Sequence, residues 1–435
     1  MHRSPLLSIA LVAGLAAGLA APATAQRLLA VDQASRGFIE LDPVDGSVVA
    51  LGAVDLVALT GGAAMLPLDG TQTPNGEVWV SDLVANTVFR FDRSLTTFLG
   101  TVPAALDQPR QLVPHAGGVL LANAGFGGGA PGPSLVHLDV QGQLVASFPT
   151  TQPFGLLPFE RAGVGGYLYT EFGFGAVTFA DASNLVLQTM FAPVGGAAFT
   201  LFPEDLARRA NGNVLVASSV SPPGIYELDP SGQVVQYLDP AALGGVAGAR
   251  CVHELRDGNI VFGGIDGLHL LDVSSQTVTQ LATGVVPRSF VEVASDLGTR
   301  YCTALPNSLG APGAMGAFGS RRAADNDVTL VASGLPPQQF GIFVVSATQG
   351  LQAVPNGGNL CLGGQIGRYQ AFAQIFQVSP SGEGALRLDL DATPQPMGLV
   401  SIQSGQSWNF QGWYRDGGPT SATSNFTDGL EIAFQ

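Results

Sequence analysis

Hydrophobic and polar residues alternate along most of the chain in short runs that recur. Six segments share an apolar alternation that ends in aspartate: FIELD at 38–42, VFRFD at 88–92, LVHLD at 135–139, VTFAD at 177–181, IYELD at 225–229 and LHLLD at 268–272. The five intervals from Asp42 to Asp272 average 46 residues. Because alternation with a period of two is typical of β-strands, the chain is predicted to repeat one β unit.

Each repeat contains further strands on both sides of this segment. An apolar strand precedes it, as in LLAV at 28–31 and EVWV at 77–80, and another follows it, as in QVVQYL at 233–238. A period in the forties with several strands per unit is typical of a β-propeller. The sequence therefore predicts an all-β fold with a six-bladed propeller over residues 26–296.

A propeller blade also needs an innermost strand, which lines the central channel. The candidates are AAMLPL at 63–68, RQLVP at 110–114, FGLLPF at 154–159, EDLARR at 204–209, RCVHEL at 250–255 and RSFVEVAS at 288–295. The last of these follows the sixth repeat, and the strand at Leu28 has no candidate before it. We therefore expect residues near 288–295 to pair beside 28–32, which leaves no open sheet edge.

The recurrent aspartates are expected to be structural. An aspartate at the start of a tight turn accepts hydrogen bonds from the following backbone amides, which favours the turn. Calcium binding by these aspartates is the alternative, but their spacing around the rim is too wide for one ion.

Residues 80–92, VSDLVANTVFRFD, resemble the NHL repeat, in which a strand ending in Asp, a polar turn and a strand ending in Phe-Asp follow one another. The resemblance covers residues 27–296 and implies a six-bladed propeller related to gluconolactonases and regucalcin-like proteins. Lactonases of that group carry a metal-binding glutamate in a Gly-Glu-x-Pro-x-Trp stretch near the start. This chain has RLLAVDQASRG there, so that ligand is missing.

Residues 301–435 have a different pattern, with YCTALPNSLGAPG, GLPP, LCLGG and WNFQGWYRD. They resemble a C-terminal module that recurs in secreted proteins of planctomycete-type bacteria. Seven or eight short strands with Gly and Pro turns predict a β-sandwich of jelly-roll or immunoglobulin-like kind. Its Trp408 and Trp413 are interpreted as core residues, with a glycan-binding platform as the alternative.

The first 25 residues indicate export. His2 and Arg3 precede an apolar run from Leu6 to Ala21 and the small-residue site Ala23-Thr24-Ala25, which is the pattern of a secretory signal peptide. No later apolar run is long enough to span a bilayer, so we expect a secreted or cell-surface protein without a membrane span. Since export permits disulfides, we expect Cys302 to pair with Cys361 and Cys251 to remain a buried free thiol.

Composition excludes several functions. The net charge of −15 argues against nucleic-acid binding, which needs a basic surface. All 18 basic residues are arginine, so Schiff-base chemistry and a P-loop, which both require lysine, are excluded. The histidines have no metal-like spacing and are assigned structural or surface roles.

Propeller geometry brings the starts of the innermost strands and the ends of the next strands to one mouth of the channel. The candidate ligand-binding residues there are Arg110, Arg250, Arg288, Glu204, Asp205, Asn123, Glu171, Asp32 and Asp82. The three arginines begin their strands in QPRQL, GARCV and VPRSF, so blade symmetry predicts that they converge on an anion-binding site. The alternative is a structural ring in which Glu204 and Asp205 neutralise them.

The sequence thus predicts an exported, noncatalytic propeller that binds a small ligand, for which the arginines favour an anion, or an extracellular protein or glycan, without a cofactor. The C-terminal module would serve surface attachment or secretion. A metal-dependent lactonase-like or lyase-like enzyme, with calcium held by Glu204, Asp205, Asn123 or Glu171, is the alternative, and a purely structural surface protein is a third. Arginines among the candidate ligands disfavour the cation.

Overall fold

The computed structural model describes residues 26–435 apart from 116, 172–174, 183–187, 194–201, 221, 246–247, 295, 355–357, 380–381 and 419–420. The predicted signal peptide lies outside these residues. The first part of the described chain is built from the strands β1 (Gln26–Asp32), β2 (Gly37–Leu41), β3 (Val48–Asp55), β4 (Pro67–Gln72), β5 (Val78–Asp82), β6 (Thr87–Phe91), β7 (Phe98–Thr101), β8 (Pro109–His115), β9 (Gly118–Asn123), β10 (Ser134–Asp139), β11 (Leu144–Pro149), β12 (Pro153–Arg161), β13 (Val164–Glu171), β14 (Ala176–Asp181), β15 (Gln188–Pro193), β16 (Pro203–Arg208), β17 (Val214–Ser218), β18 (Gly224–Leu228), β19 (Val234–Leu238), β20 (Cys251–Glu254), β21 (Ile260–Gly263), β22 (Gly267–Asp272), β23 (Thr277–Thr283) and β24 (Pro287–Ala294).

These strands form six antiparallel sheets of four strands, which confirms the six-bladed propeller within the described residues. Blade 1 has the order β24-β1-β2-β3, and blades 2 to 6 are built from consecutive strands, from β4–β7 to β20–β23. The innermost strands contact one another in the closed cycle β24, β4, β8, β12, β16, β20 and back to β24. In blade 1, Leu29 pairs with Val291, so the expected pairing of the two ends is confirmed.

The middle strands of the blades are buried on both faces, and this explains their nearly continuous apolar runs, whereas outermost strands such as β19 stay largely exposed. In β1, Leu28 and Ala30 pack with blade 6, while Leu29 and Val31 pack with blade 2. Successive side chains of a strand point to opposite faces, so one strand serves two neighbouring blades. The result is a hydrophobic cluster at each of the six interfaces between blades.

The turn aspartates accept backbone hydrogen bonds, as expected. Asp229 Oδ1 accepts from the amides of Ser231 and Gln233, both at 2.9 Å. Equivalent bonds are made by Asp42, Asp92, Asp139 and Asp272. The repeated Leu-Asp is therefore explained by turn formation.

Two details differ from the sequence prediction. The innermost strand of blade 2 is β4 (Pro67–Gln72), so its placement at 63–68 was wrong. A four-residue helix, α1 (Leu56–Leu59), which begins after its N-cap Asp55, precedes that strand in a chain that was predicted to be entirely β. The apolar run AAML belongs to the loop between α1 and β4.

The second part of the chain is a β-sandwich. Its strands are β25 (Thr299–Tyr301), β26 (Ala314–Gly319), β27 (Val328–Ser333), β28 (Phe340–Ser346), β29 (Thr348–Val354), β30 (Gly358–Gly363), β31 (Gly367–Arg368), β32 (Phe376–Gln377), β33 (Gly384–Arg387), β34 (Thr393–Gln395), β35 (Gly398–Val400), β36 (Ser407–Gly418) and β37 (Ser421–Ala433), with short 3-10 helices at Ala323–Asp325, Phe372–Gln374 and Leu390–Ala392. A six-stranded sheet with the path β25-β37-β36-β28-β31, from which β32 also pairs with β28, lies against the sheet β26-β27-β33. Trp408 packs in the core between them, whereas Trp413 is half-buried and lines an apolar groove of about 330 Å³ with Ile342 and Arg368.

Cys302 and Cys361 form the expected disulfide, and Cys251 is a buried free cysteine.

The sandwich contacts blade 2 at the face of the propeller opposite the predicted mouth. There Arg93 Nε lies 2.7 Å from Asp296 Oδ1, and its guanidinium lies 5.4 Å from the centre of the Phe318 ring. Separate folding of the two parts stays a prediction. No helix among the described residues is long and apolar enough to cross a membrane.

Candidate functional site

The innermost strands begin at the mouth with one shared pattern. Proline opens five of the six strands. Proline cannot donate a ladder hydrogen bond and is tolerated at the first residue of a strand. The residues after it form two rings around the channel: the outer ring is Leu68, Arg110, Phe154, Glu204, Arg250 and Arg288, and the inner ring is Asp69, Gln111, Gly155, Asp205, Cys251 and Ser289.

The two rings enclose a small cavity, which we call the mouth cavity. It measures about 30 Å³ and is bordered by the three predicted arginines, Arg110, Arg250 and Arg288. A buried water needs roughly 10–15 Å³ of such space, so the mouth cavity has room for about two or three waters or a small anionic group. The sequence prediction that these arginines meet at one mouth agrees with this placement.

Two of the arginines share one carboxylate. Arg288 Nη2 donates to Glu204 Oε2 at 3.1 Å, and Arg250 Nη1 lies 3.8 Å from the same oxygen. The other oxygen of Glu204 accepts from the hydroxyl of Ser219. Burial lowers the pKa of Arg288, and the neighbouring Glu204 carboxylate offsets only part of this effect.

Arg110 has no ion-pair partner among the described residues. Its guanidinium carbon lies 4.1 Å from the centre of the Phe154 ring, a cation–π contact, and its buried Nε meets no acceptor in the described chain. Burial, and then repulsion from Arg288, lowers the pKa of Arg110 to about 10. An arginine that is buried without a carboxylate is unfavourable unless an anion completes its surroundings.

Two buried carboxyl groups lie in the inner ring. Burial raises the pKa of Asp69 to about 8 and that of Asp205 to about 7. Asp69 Oδ2 accepts from the Leu112 amide at 2.7 Å, and Asp205 Oδ2 accepts from the Val252 amide at 3.0 Å. Each aspartate therefore joins its own blade to the next one, which is a structural role that the sequence did not predict.

Gln111 extends this set of contacts across the channel. Its Oε1 accepts from the amide of Leu156 in blade 4, and its Nε2 donates to Asp205 Oδ1 in blade 5 at 2.6 Å. Blade 4 has Gly155 at the equivalent position, where an added Cβ would lie 3.1 Å from the Glu204 carbonyl oxygen and from Thr170. Asp69, Gln111 and Asp205 thus form the inner wall of the mouth cavity.

The other predicted residues do not line the mouth cavity. Asp32 accepts from the amides of Ala34, Ser35 and Val286, and Asp82 accepts from those of Met65, Leu66, Val84 and Ala85. Asn123 Oδ1 accepts from the amide of Asp107, and Asn123 Nδ2 donates to the carbonyl of Gly132. The carboxylate of Glu171 accepts from the hydroxyl of Thr151. All four side chains hold loops at this face of the propeller.

The opposite end of the channel is much wider. Its cavity of about 550 Å³ reaches from Asp69, Gln111 and Asp205 to the far ends of the innermost strands. There Arg209 donates to Glu227 at 2.7 Å and to Glu254 at 2.8 Å. The sequence pattern predicted a site at the mouth and did not predict this larger opening.

No group of three His, Cys, Asp or Glu side chains in the described part of the chain is arranged to hold a metal ion. His253 lies 3.6 Å from Glu292, and His269 lies 2.9 Å from Asp266. Burial raises the pKa of the Cys251 thiol, which disfavours the thiolate that a nucleophile needs. These contacts favour structural roles for the histidines and for Cys251.

Sequence reasoning missed Asp69 because the innermost strand of blade 2 was placed four residues too early. The proline that opens the other strands was the available signal, since aligning Pro67 with Pro109 and Pro203 puts Asp69 level with Gln111 and Asp205. Gln111 was passed over because an amide gives no charge pattern.

Comparisons with known proteins give no family. No protein-family model matches the chain, and no curated protein matches it. Among solved structures, a protein of unknown function from Bacteroides caccae is 15% identical, with a TM-score of 0.45, and covers 62% of this chain and 99% of its own. A catalytically inactive virginiamycin B lyase from Staphylococcus aureus with quinupristin is 11% identical, with a TM-score of 0.39, and covers 85% and 95%. A streptogramin B lyase is also 11% identical, with a TM-score of 0.38, and covers 73% and 92%. Likenesses this distant carry no argument about activity, and the propeller is established here by its six sheets.

Proposed function

We propose that this protein is an exported, noncatalytic propeller that binds a small anionic ligand at the mouth cavity. The observation that carries the proposal is the imbalance of charge there. Among the described residues, Arg250 and Arg288 share the carboxylate of Glu204, and Arg110 has no ion-pair partner. Guanidinium groups in a poorly solvated cavity bind carboxylate and phosphate groups strongly.

The two inner aspartates support the proposal near and below neutral pH. With pKa values of about 8 and about 7, Asp69 and Asp205 are largely protonated at pH 6 and do not cancel the arginine charge. An anion that enters the mouth cavity then offsets charge that the protein leaves unbalanced. The structural-ring alternative, in which Glu204 and Asp205 neutralise the arginines, requires Asp205 to be ionised.

The test is a thermal-shift measurement at pH 6 with acetate and inorganic phosphate. We expect both anions to raise the melting temperature of the wild type and to have no effect on the triple variant Arg110→Ala/Arg250→Ala/Arg288→Ala. The control is Arg322→Ala/Arg387→Ala, which removes two exposed arginines of the sandwich and should keep the response. If the wild type shows no anion-dependent shift, the cluster is a structural ring.

We also propose that the chain is exported and that the sandwich serves surface attachment. The pattern of residues 1–25 and the Cys302–Cys361 disulfide support export, because disulfides persist in oxidising compartments. Mass spectrometry of the protein from culture medium should find a chain that begins at Gln26. A stoichiometric calcium ion in the purified protein would instead favour metal-dependent hydrolysis.

A further inference from the structure

An aromatic surface borders the arginines of the mouth cavity. Phe154 carries Arg110 on its face and meets the ring of Phe126, with the two centroids 6.0 Å apart and the planes at 69°. Phe126 nevertheless keeps 40% of its surface exposed. An apolar side chain is thus presented to solvent beside an anion-binding cluster.

The loop that carries Phe126 is held in place by Asp107. The Asp107 carboxylate accepts from the amides of Gly127 at 3.1 Å and Gly129 at 2.8 Å. A side chain at position 127 would clash, since an added Cβ would lie 2.5 Å from Asp107 Oδ1. Gly127 therefore permits the close approach of its backbone to Asp107, and this approach positions Phe126. Because the loop is already held in place, a ligand that packs on Phe126 needs to order little of the loop.

A second apolar side chain lies near the mouth in the loop after β17. Val220 is 38% exposed and follows Ser219, whose hydroxyl donates to Glu204 in the mouth cavity. The cavity itself, at about 30 Å³, admits only a head group of a few atoms. A larger ligand therefore keeps most of its body outside the cavity, where Phe126 contacts Phe154 of the cavity lining.

Building on the anion-binding function proposed above, we infer that the ligand is an organic acid whose carboxylate enters the mouth cavity and whose apolar body packs on Phe126. The carboxylate lies against the guanidinium groups of Arg110 and Arg288. The body covers the exposed part of the Phe126 ring, and its chemistry is aromatic or branched aliphatic. The free acid of a small molecule and the C-terminal carboxylate of a peptide that ends in an apolar residue share this chemistry.

Isothermal titration at pH 6 with acetate, 3-phenylpropionate and a tetrapeptide ending in phenylalanine tests the inference. We expect 3-phenylpropionate to bind about three- to tenfold more tightly than acetate, as the strength of an aromatic contact implies. Phe126→Ala should abolish this preference, and Phe126→Leu should keep part of it. Phe372→Ala, which removes an exposed phenylalanine of the sandwich, is the matched control and should change nothing.

Whichever of phenylpropionate and the peptide binds more tightly identifies the source of the acid. Equal affinities for acetate and phenylpropionate in the wild type, or a preference that survives in Phe126→Ala, would overturn the role of Phe126 and leave anion binding intact. If none of the three acids binds to the wild type, anion binding itself has failed.

Discussion

Arg209 and Arg110 lie at opposite ends of the same channel and have opposite electrostatic surroundings. Arg209 donates to Glu227 and Glu254, which are themselves largely buried, and Asn213 also donates to Glu227. These partners outweigh burial and raise the pKa of Arg209. Arg110 has a ring face in place of a carboxylate, and burial lowers its pKa.

On the function proposed above, this difference separates a structural ion pair from a binding site. At the wide end, Arg209 is paired with two carboxylates of the protein, so an added anion finds no unpaired guanidinium on it. At the mouth, Arg110 has no ion-pair partner among the described residues, and the proposed ligand would supply one. Removing arginine should therefore destabilise the protein at the wide end and weaken ligand binding at the mouth.

The largest effect is expected for Arg209→Met. It leaves two buried carboxylates without their cation, which destabilises a protein by about 3 kcal/mol. Arg110→Met keeps the stem over Phe154 and removes an unpaired charge, so it should change stability by less than about 1 kcal/mol. Denaturant unfolding of both variants at pH 7 measures the difference. Equal destabilisation would show that Arg110 is as structural as Arg209.

An intermediate effect concerns pH and Asp69. The native carboxyl keeps its proton up to about pH 8, whereas in the unfolded chain it loses the proton near 3.8. The unfolded chain binds fewer protons between these values, so stability falls as pH rises through this window. Since one pKa unit corresponds to about 1.4 kcal/mol, Asp69→Asn should remove at least about 2 kcal/mol of this loss between pH 5 and 9. Parallel unfolding profiles of wild type and variant would show that Asp69 is ionised in the native state.

The smallest effect is expected for the carboxylate shared by two mouth arginines. Among the described residues, Glu204 carries the one paired negative charge at the mouth cavity. Glu204→Gln removes it, so acetate affinity at pH 6 should rise about tenfold, which corresponds to about 1.4 kcal/mol. Glu254→Gln, at the wide end, should lower stability and leave acetate affinity unchanged. Titration of both variants with acetate makes the comparison. A weaker affinity in Glu204→Gln would mean that Glu204 orients the arginines for binding.

Most of the propeller was predictable because its order is local. Consecutive residues, as at 225–238, show the apolar run of a buried strand and the aspartate that opens a turn. The fixed period can likewise be read directly along the chain. The closing pair of β1 and β24 was also predictable, since a count of the innermost strands left one without a neighbour.

The charge balance of the mouth was not predictable from the same patterns. Symmetry places Arg110, Arg250 and Arg288 at equivalent positions, but it does not say which of them reaches Glu204. That depends on contacts across the channel, such as the hydrogen bond from Gln111 to Asp205. Such contacts join side chains from blades that are distant in sequence, and one misplaced strand start hid Asp69.

The pairing of Leu29 with Val291 also sets the order in which the molecule is assembled. Blades 2 to 6 are made of consecutive strands and can form as soon as their own residues are available. Blade 1 must wait for β24, and until then one edge of β1 stays unpaired and the cycle of innermost strands is open. Arg288 lies on this last strand, so the mouth cavity is completed in the same step that closes the ring. A chain that ends before Pro287 would therefore lack Arg288 at the mouth cavity and would expose a strand edge on which chains associate.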